Sequence, residues 1–442
     1  MPEIEPFRGI LYDPSKVEVA QVLAPPYDVI DEAGKKALLE RDPHNAVRLI
    51  LPDGDGEAKY AEAGRTLQSW LADGTLARDA RPAIYRYHQL FQLAELGDRS
   101  LVRRGFIAAV RLHQFDEGVI LPHERTLSGP KVDRLHLMRA TGCHFSQIFT
   151  MYSDPSRRTD QLFRKSEDRA PDLEGVTPED GTLHRLWRVC DREIIGQLQK
   201  LMAPLSLYIA DGHHRYETML ALRDELRQAA GGELGFKSAA QYGTMFVANM
   251  DDAGLFVLPT HRSIHGVEGF DADAMFERCR AYFEITPLVA AADDPELLRV
   301  TLAERSEVAP TFAALLPGDA DAYIMSRRGA ADLAGAGITG SRALLDLDVT
   351  LLHELVLDRI LGISREAQAA KTNISYIKDT AQAMARNAAG DGQITFVMNP
   401  PPLSQVRAIA DAHDFMPQKS TFFYPKIASG LVMNRVDPKE DL

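Results

Sequence analysis

Only three cysteines, Cys143, Cys190 and Cys279, occur in the 442-residue sequence. They lie far apart and form no CxxC pair, which excludes a disulfide framework and a thiolate zinc cluster and suits a reducing compartment. Long apolar runs are also missing. Nothing approaches the ~18 uninterrupted apolar residues of a membrane span, and the opening MPEIEPFRGI lacks the basic segment and apolar core of a secretory leader. A soluble protein of the cytoplasm, with no membrane partner, is expected. Basic residues are outnumbered, 50 Lys and Arg against 63 Asp and Glu, and the formal charge of −13 repels phosphate backbones wherever cations are not gathered locally. Nucleic acid is therefore not expected as a main partner. There is no GxxxxGK[ST] phosphate loop. His213 and His214 are adjacent rather than a helical turn apart, and His123-Glu124 has no second histidine, so a HExxH zinc protease is excluded too.

What is present is an ordinary globular composition, 45% hydrophobic and 26% charged, so most of the chain should fold. The length is about three times the ~150-residue domain prior, which predicts two or three compact units. The texture changes near residue 266. Residues 1–265 are read as an N-terminal α+β domain and 266–442 as a C-terminal α+β domain whose tail returns to the site. VAQVLA reads as a short strand ended by Pro25-Pro26, with Asp31 capping a helix to about Asp42. A helix should follow over about 57–73. AIYRYHQLFQL and LVRRGFIAAVRLHQF alternate as a hairpin about the turn-like ELGDRS. GVILPHERTLSGPK and the acidic 168–181 stretch read as loops, GLFVLPTHR as a strand, 271–283 and 346–361 as helices, and 327–342 as a small-residue loop. Gly335–Gly340 spells GxGxxG, but RRGAADLA before it is no β-branched strand, so a dinucleotide fold is rejected.

Five patterns could carry chemistry. In PLSLYIADGHHRYETML an apolar strand leads into a tight turn and a helix. Such a turn aims backbone N–H groups at one point, Gly212 permits close approach, and Arg215 can grip two phosphate oxygens. Asp211 could accept a hydroxyl proton or hold Mg²⁺, and His213 or His214 could donate to phosphate or shuttle a proton. The plain alternative is a helix cap with exposed histidines. In PHERT, His123, Glu124, Arg125 and Thr126 sit in an irregular loop with Lys131 beyond, where Glu124 is a candidate base or metal ligand and Arg125 a second phosphate contact. Thr260, His261 and Arg262 end another strand. The tail PQKSTFFYPK sets Lys419, Ser420, Thr421 and Lys426 around Phe422, Phe423 and Tyr424 with no acidic residue, which suits a phosphate and a stacked ring, or simply a terminal strand. PPYD holds Tyr27 and Asp28 at a rigid turn.

ADGHHRYET, PHERT, LPTHR, PPYDVI and KSTFFYPK, taken together, resemble the bacterial and archaeal family called domain of unknown function 1015, over essentially the whole chain. DGHHR also resembles, more distantly, the phosphate-binding turn of the ParB/sulfiredoxin superfamily, in which Gly, His and Arg contact nucleotide phosphates. That resemblance implies an α+β fold with a ParB/sulfiredoxin-like core of mixed sheet and flanking helices, plus a second α/β domain. His213 stands where sulfiredoxin has its reactive cysteine, so sulfinic-acid reduction is not implied. The resemblance favours a small-molecule kinase, with serine or another hydroxy-amino acid as acceptor. On this reading ATP or ADP binds with Mg²⁺. Gly212, His214 and Arg215 hold phosphates, Asp211, Glu124 or Asp28 orients or deprotonates the acceptor, and Lys419 and Lys426 neutralise the transferring group. The rival readings are a nucleotide-binding regulatory or chromosome-associated module with slow or no hydrolysis, and a metal-dependent phosphoesterase.

Overall fold

The computed structural model describes residues 1–93, 99–126 and 128–442. They gather into two compact units. One joins Met1–Pro122, Thr126–Phe256 and Pro425–Leu442; the other joins His123–Arg125 to Val257–Tyr424.

The first unit is built on a nine-stranded mixed sheet. From edge to edge its strands are Ile120–Leu121, Leu207–Asp211, Ile148–Tyr152, Tyr242–Asn249, Ser100–Arg111, Ile84–Gln92, Leu183–Val189 and Leu173–Val176, with Ile4–Glu5 added against Ser100–Arg111. The expected hairpin forms, antiparallel from Tyr85 opposite Ile107 to Gln92 opposite Ser100. Residues 95–98 of its turn-like stretch lie outside the described residues. Tyr242–Asn249 is buried along its whole length between a parallel neighbour, Ile148–Tyr152, and an antiparallel one, Ser100–Arg111. A strand buried at every residue is what a sheet covered on both faces requires. Gly105 permits the packing there, since a Cβ at that position would stand 2.3 Å from the Phe246 ring.

Helices bury the side that their apolar spacing selects, and Gly56–Ala72 turns that side to neighbouring helices such as Ser128–Thr141 rather than to the nine-stranded sheet. Gly56–Ala72 buries Tyr60, Ala63, Leu67 and Trp70, one stripe of a 3.6-residue repeat. Asp191 starts Arg192–Met202 by accepting from the Glu193 and Ile194 N–H groups, and Asp31 does the same for Glu32–Arg41 through the Gly34 N–H. VAQVLA departs from expectation: Val19–Val22 is one helical turn rather than a strand, and only Ala24, just ahead of the two prolines, makes a ladder bridge, to Ser429. The 168–181 stretch is not all loop, because Leu173–Val176 pairs with Leu183–Val189 as the sheet's outer strand. Edge strands need only one partner, so an acidic segment serves. Among the described residues no helix is long and apolar enough to cross a membrane.

The second unit holds a six-stranded sheet, antiparallel throughout, in the order Phe283–Leu288, Ala322–Arg327, Thr311–Leu315, Ile394–Val397, His261–Ile264, Ile374–Ile377. Its core includes Phe312 edge-on to Phe283 and Phe396, with centroids 5.3 and 5.9 Å away. Such pairs add about 0.5–1.5 kcal/mol beyond the area they bury. GLFVLPTHR is broken into Phe256–Leu258 and His261–Ile264 because Pro259 has no N–H for a ladder. The helix expected over 271–283 stops at Cys279, and Phe283 opens a strand. The helix expected over 346–361 is a short turn, Asp348–Thr350, followed by the π-helix Leu351–Ile360. At its end the Leu361 N–H donates to the Val356 carbonyl, five residues back, at 2.9 Å.

Asp348 in this unit is buried beside that helix. Burial pushes its carboxyl up to about 6, against the opposing pull of the Val349 N–H, 2.6 Å away, and of Arg262. The folded value lies above the unfolded one, so the stability it contributes is present below about pH 4 and lost as pH rises through about 6. Asp348→Asn should therefore raise the calorimetric midpoint at about pH 8 and leave it nearly unchanged at about pH 4. An equal shift at both would mean that the carboxyl does not titrate in the folded protein.

Candidate functional site

The strand Leu207–Asp211 is apolar until its last residue, and the four residues before Asp211 are buried. It lies between Ile120–Leu121, parallel, and Ile148–Tyr152, antiparallel. Ile209 faces Thr150 and Asp211 faces Phe149, so the strand gains one residue on its neighbour at Ala210. A bulge of this kind re-aims the following side chain. Gly212 then takes a left-handed conformation, φ 96°, and caps the 17-residue helix His213–Ala229. The first ladder bond runs from the Tyr216 N–H to the Gly212 carbonyl at 2.9 Å. The leading N–H groups lie ahead of that ladder, at the positive end of the helix dipole.

Asp211 anchors two cations on separate oxygens: Lys426 Nζ is 2.5 Å from Oδ1, and Arg215 Nη2 is 2.7 Å from Oδ2. The three side chains are only 16%, 7% and 17% exposed for Lys426, Arg215 and Asp211. Burial by itself would raise the Asp211 carboxyl. Lys426 and then Arg215 outweigh it, with His213 adding to them, and hold it well below the usual carboxylate range. Asp211 is thus ionised at neutral pH with both oxygens occupied, better placed to hold cations than to take a proton. Arg215 also donates from Nη1 to the Gln147 carbonyl at 2.6 Å. Its guanidinium is built into the protein on two sides.

Lys426 reaches Asp211 because the backbone beneath it is pinned. Gln89 donates to the Lys426 carbonyl at 2.9 Å, and the buried Arg103 donates to the Pro425 carbonyl and, through Nε at 3.0 Å, to Gln89 Oε1. Arg103 lies 4.6 Å from the Phe149 ring centroid. Burial pushes its guanidinium down to about 9, against Tyr87 and Asp211, which pull it up. Sequence reasoning missed Arg103, Gln89 and Gln147. LVRRGFIAAV signals a strand, but only the pairing register tells that Arg103, and not its neighbour Arg104, is buried.

The PPYD turn approaches the same charges. Tyr27 is raised mainly by burial, with Arg215 and Arg134 opposing and Asp28 and Asp211 assisting. Arg134 stacks over its ring at 4.3 Å, and Asp28 is exposed. Two residues along the helix from Arg215, and so on another face of it, Glu217 Oε2 accepts from Lys131 Nζ at 2.5 Å and from the Thr126 hydroxyl at 2.8 Å. The first unit therefore brings Tyr27, Asp211, Arg215 and Lys426 together around Gly212, His213 and the half-exposed His214, and fastens Thr126 and Lys131 to the flank of that helix.

The remaining candidates lie in the second unit. His123 Nε2 is 3.0 Å from the Thr421 hydroxyl, which donates to Glu124 Oε1 at 3.4 Å. Ser420 is buried and donates to the Pro417 carbonyl at 2.5 Å. Lys419 is left-handed, φ 59°, and its carbonyl accepts from Arg262 Nη2 at 3.0 Å. Arg262 is buried, its guanidinium pushed down by burial to about 10, and also donates to His353 Nε2 at 3.0 Å and to the Thr260 carbonyl. His261 accepts from the Met398 N–H at Nδ1, 3.1 Å, so Nε2 carries the proton toward the Thr380 hydroxyl at 3.2 Å. Burial, then Arg262, pushes it down to about 3, which keeps it neutral. Arg125 is exposed and stacks over Phe415 at 5.3 Å.

The magnesium expectation can be tested on these groups. Among the described residues no three His, Cys, Asp or Glu side chains gather as a metal cluster, and both Asp211 oxygens are occupied by cations. Mg²⁺ is commonly held by one carboxylate, waters and substrate phosphates. Asp28 is the exposed carboxylate of the first unit's motifs that could supply that single contact.

A mixed sheet flanked by helices, with a strand-to-helix turn at the cation cluster, places the protein in the α+β class. Its family follows from the sequence: the chain belongs to the family described as protein of unknown function (DUF1015), whose profile matches residues 4–350. No curated protein matches the chain. Similar solved structures include a conserved hypothetical protein from Pyrococcus furiosus, 14% identical over 76% of this chain and 97% of that one, TM-score 0.36. Free serine kinase in complex with AMP is also 14% identical, over 76% and 93%, TM-score 0.36. A mutant of free serine kinase in complex with ADP is 13% identical over 76% and 94%, TM-score 0.37.

Proposed function

We propose that the first unit binds the phosphates of a nucleotide at the N-terminus of His213–Ala229, and that the protein is a nucleotide-dependent phosphotransferase acting on a small hydroxylated substrate such as a hydroxy-amino acid. The observation that carries this reading is the charge sum. Two cations, Lys426 and Arg215, share one carboxylate, Asp211, so the triad has a net charge of +1 in a largely dry place. A helix N-terminus adds about half a positive charge. An anion with several oxygens complements that arrangement better than a neutral ligand does.

Within this reading Asp211 is a positioning residue: it holds Lys426 and Arg215 where a phosphate meets them and takes no proton itself. Gly212 keeps side-chain bulk away from the phosphate, and His214 donates to a phosphate oxygen. Asp28 accepts the acceptor hydroxyl's proton as oxygen attacks phosphorus. Mg²⁺, when bound, would neutralise phosphate charge, with Asp28 as the protein ligand on hand.

Phosphorus NMR of the protein incubated with ATP, Mg²⁺ and a panel of hydroxy-amino acids tests the transfer. One acceptor should yield a phosphomonoester signal together with ADP, and Asp28→Asn should slow its appearance by about 10²-fold or more, the usual range for a general base. Release of inorganic phosphate alone, with every acceptor unchanged, would reassign the unit to hydrolysis or sensing.

A further inference from the structure

The second unit encloses a cavity of about 450 Å³ that the phosphate reading does not use. This is within the ~300–1,000 Å³ of small-molecule sites. One wall is the start of the wide helix, with Thr350 and Glu354; another is the loop carrying Ile338 and Thr339, the stretch whose GxGxxG spelling was rejected as a dinucleotide signature; Phe415 and Arg125 complete the rim.

Three independent observations point to a ligand here. Thr350 lines the cavity, is 2% exposed, and its hydroxyl has no hydrogen-bond partner among the described residues. A buried hydroxyl without a partner costs about 1–3 kcal/mol, so it persists where something else satisfies it. The helix that continues from Thr350 is a π-helix, a rare form concentrated at functional sites. Arg125 is exposed, makes no ion pair with a described residue, and lies over Phe415. Stacking fixes its planar fork and leaves the donor edges open for an anion.

The charge of the walls selects the anion. Glu354 and Asp414 both line the cavity. Glu354 is paired with Arg365, Nε at 3.0 Å, and Asp414 accepts from the Ser341 N–H at 2.6 Å. The charged lining residues, Arg125, Arg365, Glu354 and Asp414, sum to zero, so a doubly charged phosphate is disfavoured and one carboxylate is the most that the Arg125 guanidinium, without an ion pair among the described residues, can pair. Ile338, Leu344 and Phe415 offer apolar surface for the rest of the molecule. We infer that this cavity binds a small organic carboxylate with an apolar body, its carboxylate on Arg125 and a second polar atom on the Thr350 hydroxyl. The inference does not depend on the nucleotide site.

Ligand-observed NMR titrations with phenylacetate, hexanoate, 2-phenylethanol and inorganic phosphate test it on the full chain without nucleotide. The carboxylates should bind, phenylacetate at least tenfold more tightly than the isosteric alcohol, and phosphate should not displace them. Arg125→Gln, a change at an exposed position, should weaken carboxylate binding tenfold or more. Thr350→Val should weaken binding of a hydroxylated carboxylate, mandelate, more than that of phenylacetate, while its thermal midpoint stays at or above the wild-type value. Absence of carboxylate binding, displacement by phosphate, or unchanged affinity in Arg125→Gln would each overturn the assignment.

Discussion

Replacing Asp211 by Ala should destabilise the first unit by about 3–5 kcal/mol, because it leaves two buried cations facing each other without an anion. Lys426→Ala should cost about 1–2 kcal/mol, since Arg215 remains paired with Asp211 at 2.7 Å. This ordering distinguishes a hub carboxylate from a simple helix cap, whose loss costs about 1 kcal/mol. Both tryptophans, Trp70 and Trp187, belong to the first unit, so urea unfolding followed by tryptophan fluorescence reports on that unit alone. The effect carries a pH signature. Asp211 is held below its unfolded value, so its contribution is full above about pH 4 and is lost as pH falls toward the lower folded value. The gap between wild type and Asp211→Asn should accordingly be smaller at about pH 3 than at about pH 6, with the narrowing confined to below about pH 4. A gap that stays constant over that range would mean that the cations do not rest on this carboxylate.

Gly212→Ala should weaken nucleotide binding by tenfold or more, about 1.4 kcal/mol, with a loss of stability of similar size. The residue has φ 96°, which costs a side-chain-bearing residue about 1–2 kcal/mol. The new Cβ would also stand 3.0 Å from Arg215 Nη2 and 3.1 Å from its central carbon. The guanidinium must then shift from Gln147 and Asp211, and the proposed phosphate cradle shifts with it. Isothermal titration with ATP, alongside the urea midpoint, separates the two effects. Retained ATP affinity in Gly212→Ala would place the phosphates away from this turn.

Much of this site is legible in the chain because its signals are local. LYIAD followed by Gly and a helical repeat announces a strand, a left-handed turn and a helix within ten residues, and Asp31 and Asp191 announce their caps through their own side chains. What is not legible is long-range. Lys426 reads as an isolated cation in a tail without acids, yet its carboxylate partner lies 215 residues earlier. The pin beneath it depends on which of Arg103 and Arg104 faces inward, and a one-residue change in strand register would exchange them. Pro259 splits a strand that composition reads as continuous, and the π-helix after Thr350 has the same apolar sequence texture as an α-helix. Tertiary pairing decides the first two of these, whereas Pro259 is a local signal, a ring without an N–H, that outweighs the apolar composition around it.

The central claim is that the DGHHR turn and Lys426 recognise phosphate. Isothermal titration of the wild-type protein with ATP, ADP, AMP and adenosine, with and without Mg²⁺, tests it most directly. Affinity should rise with the number of phosphates, adenosine should bind at least a hundredfold more weakly than the best nucleotide, and Lys426→Ala should remove most of that difference. Adenosine binding as tightly as ATP, or no nucleotide binding at all, would contradict the account.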